Sequence, residues 1–100
     1  MVTIQEIDEY VSKEILKLDH IEEVTANKPL AMKVLMLFAD SGHGYMLDSR
    51  SRSDICTIQR GIDQYTAYGL NIAEAICKAA VKAHQDGADL TPLLKQQSLF

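Results

Sequence analysis

Nine of the ten residues from Leu30 to Ala39 are apolar, and Lys33 is the one charge among them. A helix that is apolar on every side has no face to give to water, so it belongs in the middle of a bundle or an assembly. Ala31, Met32, Leu35, Met36 and Leu37 favour a helix by propensity. Pro29 suits the first turn, with Asn27 or Lys28 as cap, and Gly42 can take the left-handed conformation that ends it after Asp40. Short apolar runs carry little periodicity, however. Val34–Phe38 and Tyr45–Leu47 also read as two short strands, which gives an α+β alternative with a small hairpin at about 34–47.

The flanking segments read as further helices. Thr3-Ile-Gln-Glu6 is a capping box, followed by Ile4, Ile7, Val11, Ile15 and Leu18 at spacings of three and four. Residues 19–28 read as a loop or a helical turn. Ser53 to about Tyr68 reads as a third helix with Ile55, Ile58, Ile62 and Tyr65 on its apolar stripe, although Gly61 inside it costs about 1 kcal/mol relative to Ala. Asn71-Ile-Ala-Glu74 opens a fourth helix whose small residues Ala79, Ala80 and Ala83 suit close packing, and Asp86-Gly87 ends it. Thr91-Pro92 caps a short fifth. The fold expected is all-α, a single domain over residues 1–100 with four main helices around the Leu30–Ala39 segment and a short C-terminal helix.

Charge narrows the partners. The net charge of −4 is concentrated at the start of the chain, where residues 1–27 carry seven acids against Lys13 and Lys17. Such an N-terminal segment repels nucleic acid, so general DNA binding is not expected. The apolar runs are too short to cross a bilayer and the polar, acidic start is unlike a secretory signal. Cys56 and Cys77 lie in patterned segments without a Cys-x-x-Cys, which fits buried free thiols in a reducing, cytoplasmic setting.

Few side chains point to chemistry. Asp48-Ser-Arg-Ser-Arg-Ser-Asp54 sets Arg50, Ser51, Arg52 and Ser53 just ahead of the expected third helix. Free N–H groups and guanidinium forks would together attract a phosphate-bearing ligand there. The plainer account is a serine cap, with Arg50 and Arg52 pairing Asp48 and Asp54. Asp40-Ser-Gly-His43-Gly-Tyr45 holds the makings of a base and its orienting acid, or simply a turn. His20, His43 and His84 stand apart without metal-ligand spacing, so neither a metal nor a cofactor is expected. His84 near a helix end suits the dipole as a cation.

The expected function is that of a small non-enzymatic interaction module, a regulator or inhibitor working by surface occupation. Its candidate interface is the acidic first helix (Glu6, Glu9, Glu14), which suits a basic partner surface, together with Tyr65 and Tyr68 on one helical face and the terminal Leu99 and Phe100. A shared apolar centre makes a homodimer the expected state. The alternative is a small anion- or nucleotide-binding protein using the Ser-Arg-Ser-Arg-Ser segment.

Overall fold

The computed structural model describes residues 3–50 and 52–87 and has the order α1 (Ile4–Tyr10), α2 (Lys28–Asp40), β1 (Gly44–Ser49), β2 (Asp54–Arg60), β3 (Asp63–Gly69) and α3 (Ile72–Gln85). The three strands form one antiparallel sheet in the order β1-β2-β3. The protein is therefore α+β, and the all-α bundle is corrected. The described helices lie on one side of the sheet, with α3 between the sheet and the other helical segments.

The error lay in residues 44–69. Ile55, Thr57, Ile58, Tyr65, Thr66 and Tyr68 are β-branched or aromatic, which suits a pleated surface better than a helix. Gly61-Ile62 is a two-residue hairpin loop, since Arg60 pairs with Asp63 and Gly61 has φ of +61°. Glycine at the first position of such a loop gives the twist that adjoining strands need. The residue that looked like a costly helix interior is the turn itself, and Ile62, expected in the core, is almost fully exposed. The small-hairpin alternative named the right class but the wrong partners. Val34–Phe38 is helical within α2, and β1 pairs with β2, Leu47 opposite Cys56.

The helical ends follow their sequence signals. The Thr3 hydroxyl accepts from the Glu6 N–H at 3.1 Å. Asn27 caps α2 by accepting from Leu30 N–H, with Pro29 in the first turn. Asn71 caps α3 by accepting from Glu74 N–H at 2.9 Å, while the Glu74 carboxylate reaches back to Leu70 N–H. Gly42 ends α2 with φ of +91°. After Tyr10 the first helix widens into a π turn over Val11–Ile15 and stops before Lys17, which has φ of +58°. The fifth helix, Leu99, Phe100 and Ser51 lie outside the described residues.

The core joins Val11, Val34, Leu35, Phe38, Cys56, Ile58 and Ile76, with the alanines of α3 between them. Burying a side chain such as Leu35 or Phe38 contributes about 1.5–3 kcal/mol. The Leu30–Ala39 segment is one-faced after all: Ala31, Val34, Leu35 and Phe38 are buried, while Met36 and Leu37 meet solvent. Backbone groups of the loop before α2 are held by α1 and its π turn. Asp8 accepts from Thr25 N–H at 2.8 Å, and the Ser12 hydroxyl both accepts from Glu22 N–H and donates to Glu22 C=O. Asp8 and Ser12 stand one turn apart, so they bind the loop as a pair. Lys82 and Lys78 donate to the carbonyls of Thr66 and Tyr68 along β3, cationic cover that discourages another strand from adding there.

Three substitutions test this arrangement by urea unfolding. A Cβ at Gly69 would lie 2.6 Å from Ala75 N and 2.9 Å from Glu74 Cβ, so Gly69→Ala is expected to cost about 1–3 kcal/mol by overpacking. Gly61→Ala, strained but in open space, costs roughly 1–2 kcal/mol. Asp8→Ala leaves the buried Thr25 N–H without its acceptor and costs about 1–3 kcal/mol.

Candidate functional site

Side chains alternate across the sheet, so the register sorts every strand residue onto one of two faces. The rows Leu47–Cys56–Ala67 and Tyr45–Ile58–Tyr65 face the helices. The rows Gly44–Gln59–Gln64, Met46–Thr57–Thr66 and Asp48–Ile55–Tyr68 face the other way. No described element covers that second face. Met46 is 68% and Tyr68 60% exposed, with Ile55 half-buried between Asp48 and Tyr68. Thr57 and Thr66 share a cross-strand hydrogen bond of 3.0 Å at its middle. The Asp48 carboxylate is turned into an ion pair with Arg50 at 3.1 Å.

The two tyrosines expected on one face are separated by the same alternation. Three residues apart is one face of a helix but opposite faces of a strand. Tyr65 lies on the helix side, where its hydroxyl donates to the Asp86 carboxylate. Tyr68 stands on the open face. Glu6, Glu9 and Glu14 do come together, along an exposed shallow groove of α1 and its π turn that also includes Tyr10 and Lys13.

Arg50, Arg52 and Ser53 are found in the β1–β2 connection, where Arg50 N–H donates to Ser53 C=O. The third helix that was to supply free N–H groups is strand β2. The reading of an anion site at a helix N-terminus thereby loses its helix. Of the plainer account, the Arg50–Asp48 pairing is present, but the serine has no helix to cap, and Arg52 is exposed with no ion pair to Asp54 among the described residues.

The Asp40–Tyr45 turn is built around an inward histidine. His43 is only 7% exposed, lies edge-on against Phe38 with ring centroids 5.2 Å apart, and its Nδ1–H donates to Phe38 C=O at 3.1 Å. That bond fixes the neutral tautomer, leaving Nε2 as a buried acceptor with no partner among the described residues. Burial pushes the imidazole below its usual pKa. The Phe38 carbonyl opposes this, and the positive charge of Arg60 adds to it. Asp40 is not hydrogen-bonded to His43, so the base-and-acid pair considered from sequence does not form. An enclosed Nε2 is poorly placed to meet a substrate.

Tyr10, His84 and His20 have hydrogen-bond partners. The Tyr10 hydroxyl and His84 Nδ1 are hydrogen-bonded at 2.8 Å, and burial lowers the His84 pKa, with Lys17 adding to the effect and Glu14 opposing it. His84 thus favours its neutral form, not the cation expected near a helix end. Burial pushes the Cys56 and Cys77 thiols up to about 12, so both are protonated and unreactive. His20 sits between Asp19 and Glu22 at 2.7 and 2.6 Å in solvent, and these two partners raise its pKa. Among the described residues no three His, Cys, Asp or Glu side chains group to hold a metal ion, and no helix is long and apolar enough to cross a membrane. Met46, Ile55, Thr57, Gln59, Gln64 and Thr66 are the surface residues that sequence reasoning missed. The usable signal was Gly61-Ile62 between two Thr- and Ile- or Tyr-bearing runs. Comparisons with protein-family models, with curated proteins and with solved structures return no match to this chain.

The buried imidazole has a consequence for stability. A histidine whose folded pKa is depressed supports folding above its unfolded value of about 6.5, and that support is lost as pH falls from there through the folded pKa. His43 and His84 act in this direction. The solvent-screened His20 acts in the other, its support being present below about 6.5 and lost as pH rises through its raised pKa. The Tm is therefore expected to drop between pH 7.5 and pH 5, and His43→Asn, which keeps a donor for Phe38 C=O, should flatten the slope. An unchanged slope in that variant would remove His43 as the cause.

Proposed function

We propose that this chain is a protein-interaction module, a regulator or inhibitor that acts by occupying a surface on another protein, and that the open face of its sheet is the surface it uses. One observation carries the reading: the make-up of that face. Its side chains are Met46, Asp48, Ile55, Thr57, Gln59, Gln64, Thr66 and Tyr68, and Asp48 is the one acidic or basic residue among them, in a chain with 24% charged residues. Depletion of charge together with exposed Met and Tyr is the composition of an interface centre, whereas a face meant only for water is normally rich in charge. Ile62 in the β2–β3 turn and Leu70 just past β3 are also exposed apolar residues. Tyr68 is the expected anchor, because a large ring with few rotors gives much contact for little ordering entropy. A flat, neutral, apolar-centred partner surface fits this face, and the acidic strip of α1 then lies outside the contact.

The test compares what three immobilised chains retain from an extract of the source cells. They are the wild type, a Met46→Asp, Tyr68→Asp pair on the sheet, and a Glu6→Lys, Glu9→Lys pair on α1. All four positions are exposed, so folding should be little affected, which circular dichroism checks. The expected result is one protein retained by the wild type and the α1 variant and lost by the sheet variant. Loss from the α1 variant alone would move the contact to the acidic strip, and equal retention by all three would overturn the assignment.

A further inference from the structure

The side of α2 opposite its buried residues carries Lys33, Met36, Leu37 and Asp40, a stripe at helical spacing. Met36 and Leu37 are 37% and 36% exposed, and with Leu16 and Met32 they line an open groove of about 480 Å³. Lys33 and Asp40 stand at the two ends of that stripe, also lining the groove. They are seven positions apart along the helix, about 10 Å, too far for a pairing within one chain. Among the described residues neither has a salt-bridge partner.

This pattern is its own complement. The midpoint between Lys33 and Asp40 along the helix falls between Met36 and Leu37. A two-fold axis through that point, perpendicular to the helix, lays Met36 against the partner's Leu37 and sets Lys33 beside the partner's Asp40. By symmetry each contact occurs twice. Opposite charges meet at both rims, apolar side chains meet at the centre, and no like charges on the stripe are brought together. We propose that a second copy of this chain docks antiparallel on α2, with Met36 and Leu37 at the two-fold axis and two Lys33–Asp40 ion pairs across the seam. The seam lies on the helical layer, so it does not depend on the use assigned to the open sheet face.

Sedimentation velocity from about 1 to about 200 µM, a range that reads micromolar affinities, tests the pairing. The wild type should approach twice the chain mass of 11.1 kDa. Lys33→Asp sets two acids against two acids, Asp40→Lys sets two lysines against two lysines, and each variant alone should dimerise at least tenfold more weakly. An equimolar mixture of the two variants should recover the dimer, because each seam then again holds two opposite pairs, and the double variant should recover it as well. Both positions are exposed and unpaired by salt bridges, and circular dichroism confirms that the variants fold. Leu37→Glu gives a second way to open the same seam. A wild type that stays monomeric over the whole range overturns the proposal, and is what occupation of the groove by residues 88–100 of the same chain would give. So do single variants that dimerise like the wild type, or a mixture that stays monomeric.

Discussion

The small side chains of α3 are what the rest of the structure depends on. Ala73, Ala75, Ala79, Ala80 and Ala83 are buried together with Ile76 and Cys77, on more than one side of the helix. A helix enclosed in this way must let its neighbours come close, and a methyl group keeps the axes nearer than a leucine would. The sheet packs on one side of α3, while α2, the π turn and the turn before α2 pack elsewhere around it. Apolarity alone points to Leu30–Ala39 as the centre. Packing chooses the less hydrophobic but slimmer helix, because close-packed interiors are set by volume as much as by transfer free energy.

Placing α3 at the middle has consequences on both sides. On the sheet side its small face accommodates Cys56, Ile58 and Ala67, and the close approach at Gly69 begins as the chain turns from β3 into α3. On the other side α2 has one buried face and one that no described element covers. The described helices all lie on one side of the sheet, so no described element covers the second sheet face. The described helices thus leave two surfaces with exposed apolar centres. The two differ in charge. The α2 stripe ends in opposite charges that suit its own copy, whereas the sheet face is nearly neutral.

Polar groups of the interior hold this arrangement in place. Asp8 and Ser12 satisfy the backbone of the loop before α2, Tyr10 meets His84 at the helix layer, and His43 closes the α2–β1 turn with its side chain folded inward. Each of these groups was visible as a polar residue among apolar ones. Which atom each would meet was not, because the partners of Asp8 and Tyr10 are 17 and 74 positions away.

What the sequence determined by itself is local. Thr3, Asn27 and Asn71 marked helix starts, Pro29 and Gly42 bracketed α2, and the alanines of α3 marked close packing, since caps and turns are satisfied within a few residues. The sheet was decided by tertiary structure. Ile55, Ile58, Ile62 and Tyr65 fit a helical stripe as well as two strands, and only pairing with β1 and burial against α3 separate the readings, because strand preference is a property of neighbours more than of the backbone. The same long-range pairing decided the candidate site: it put Tyr65 and Tyr68 on opposite faces, turned the arginine segment into a hairpin connection, and collected Met46, Ile55 and Tyr68 on one open surface.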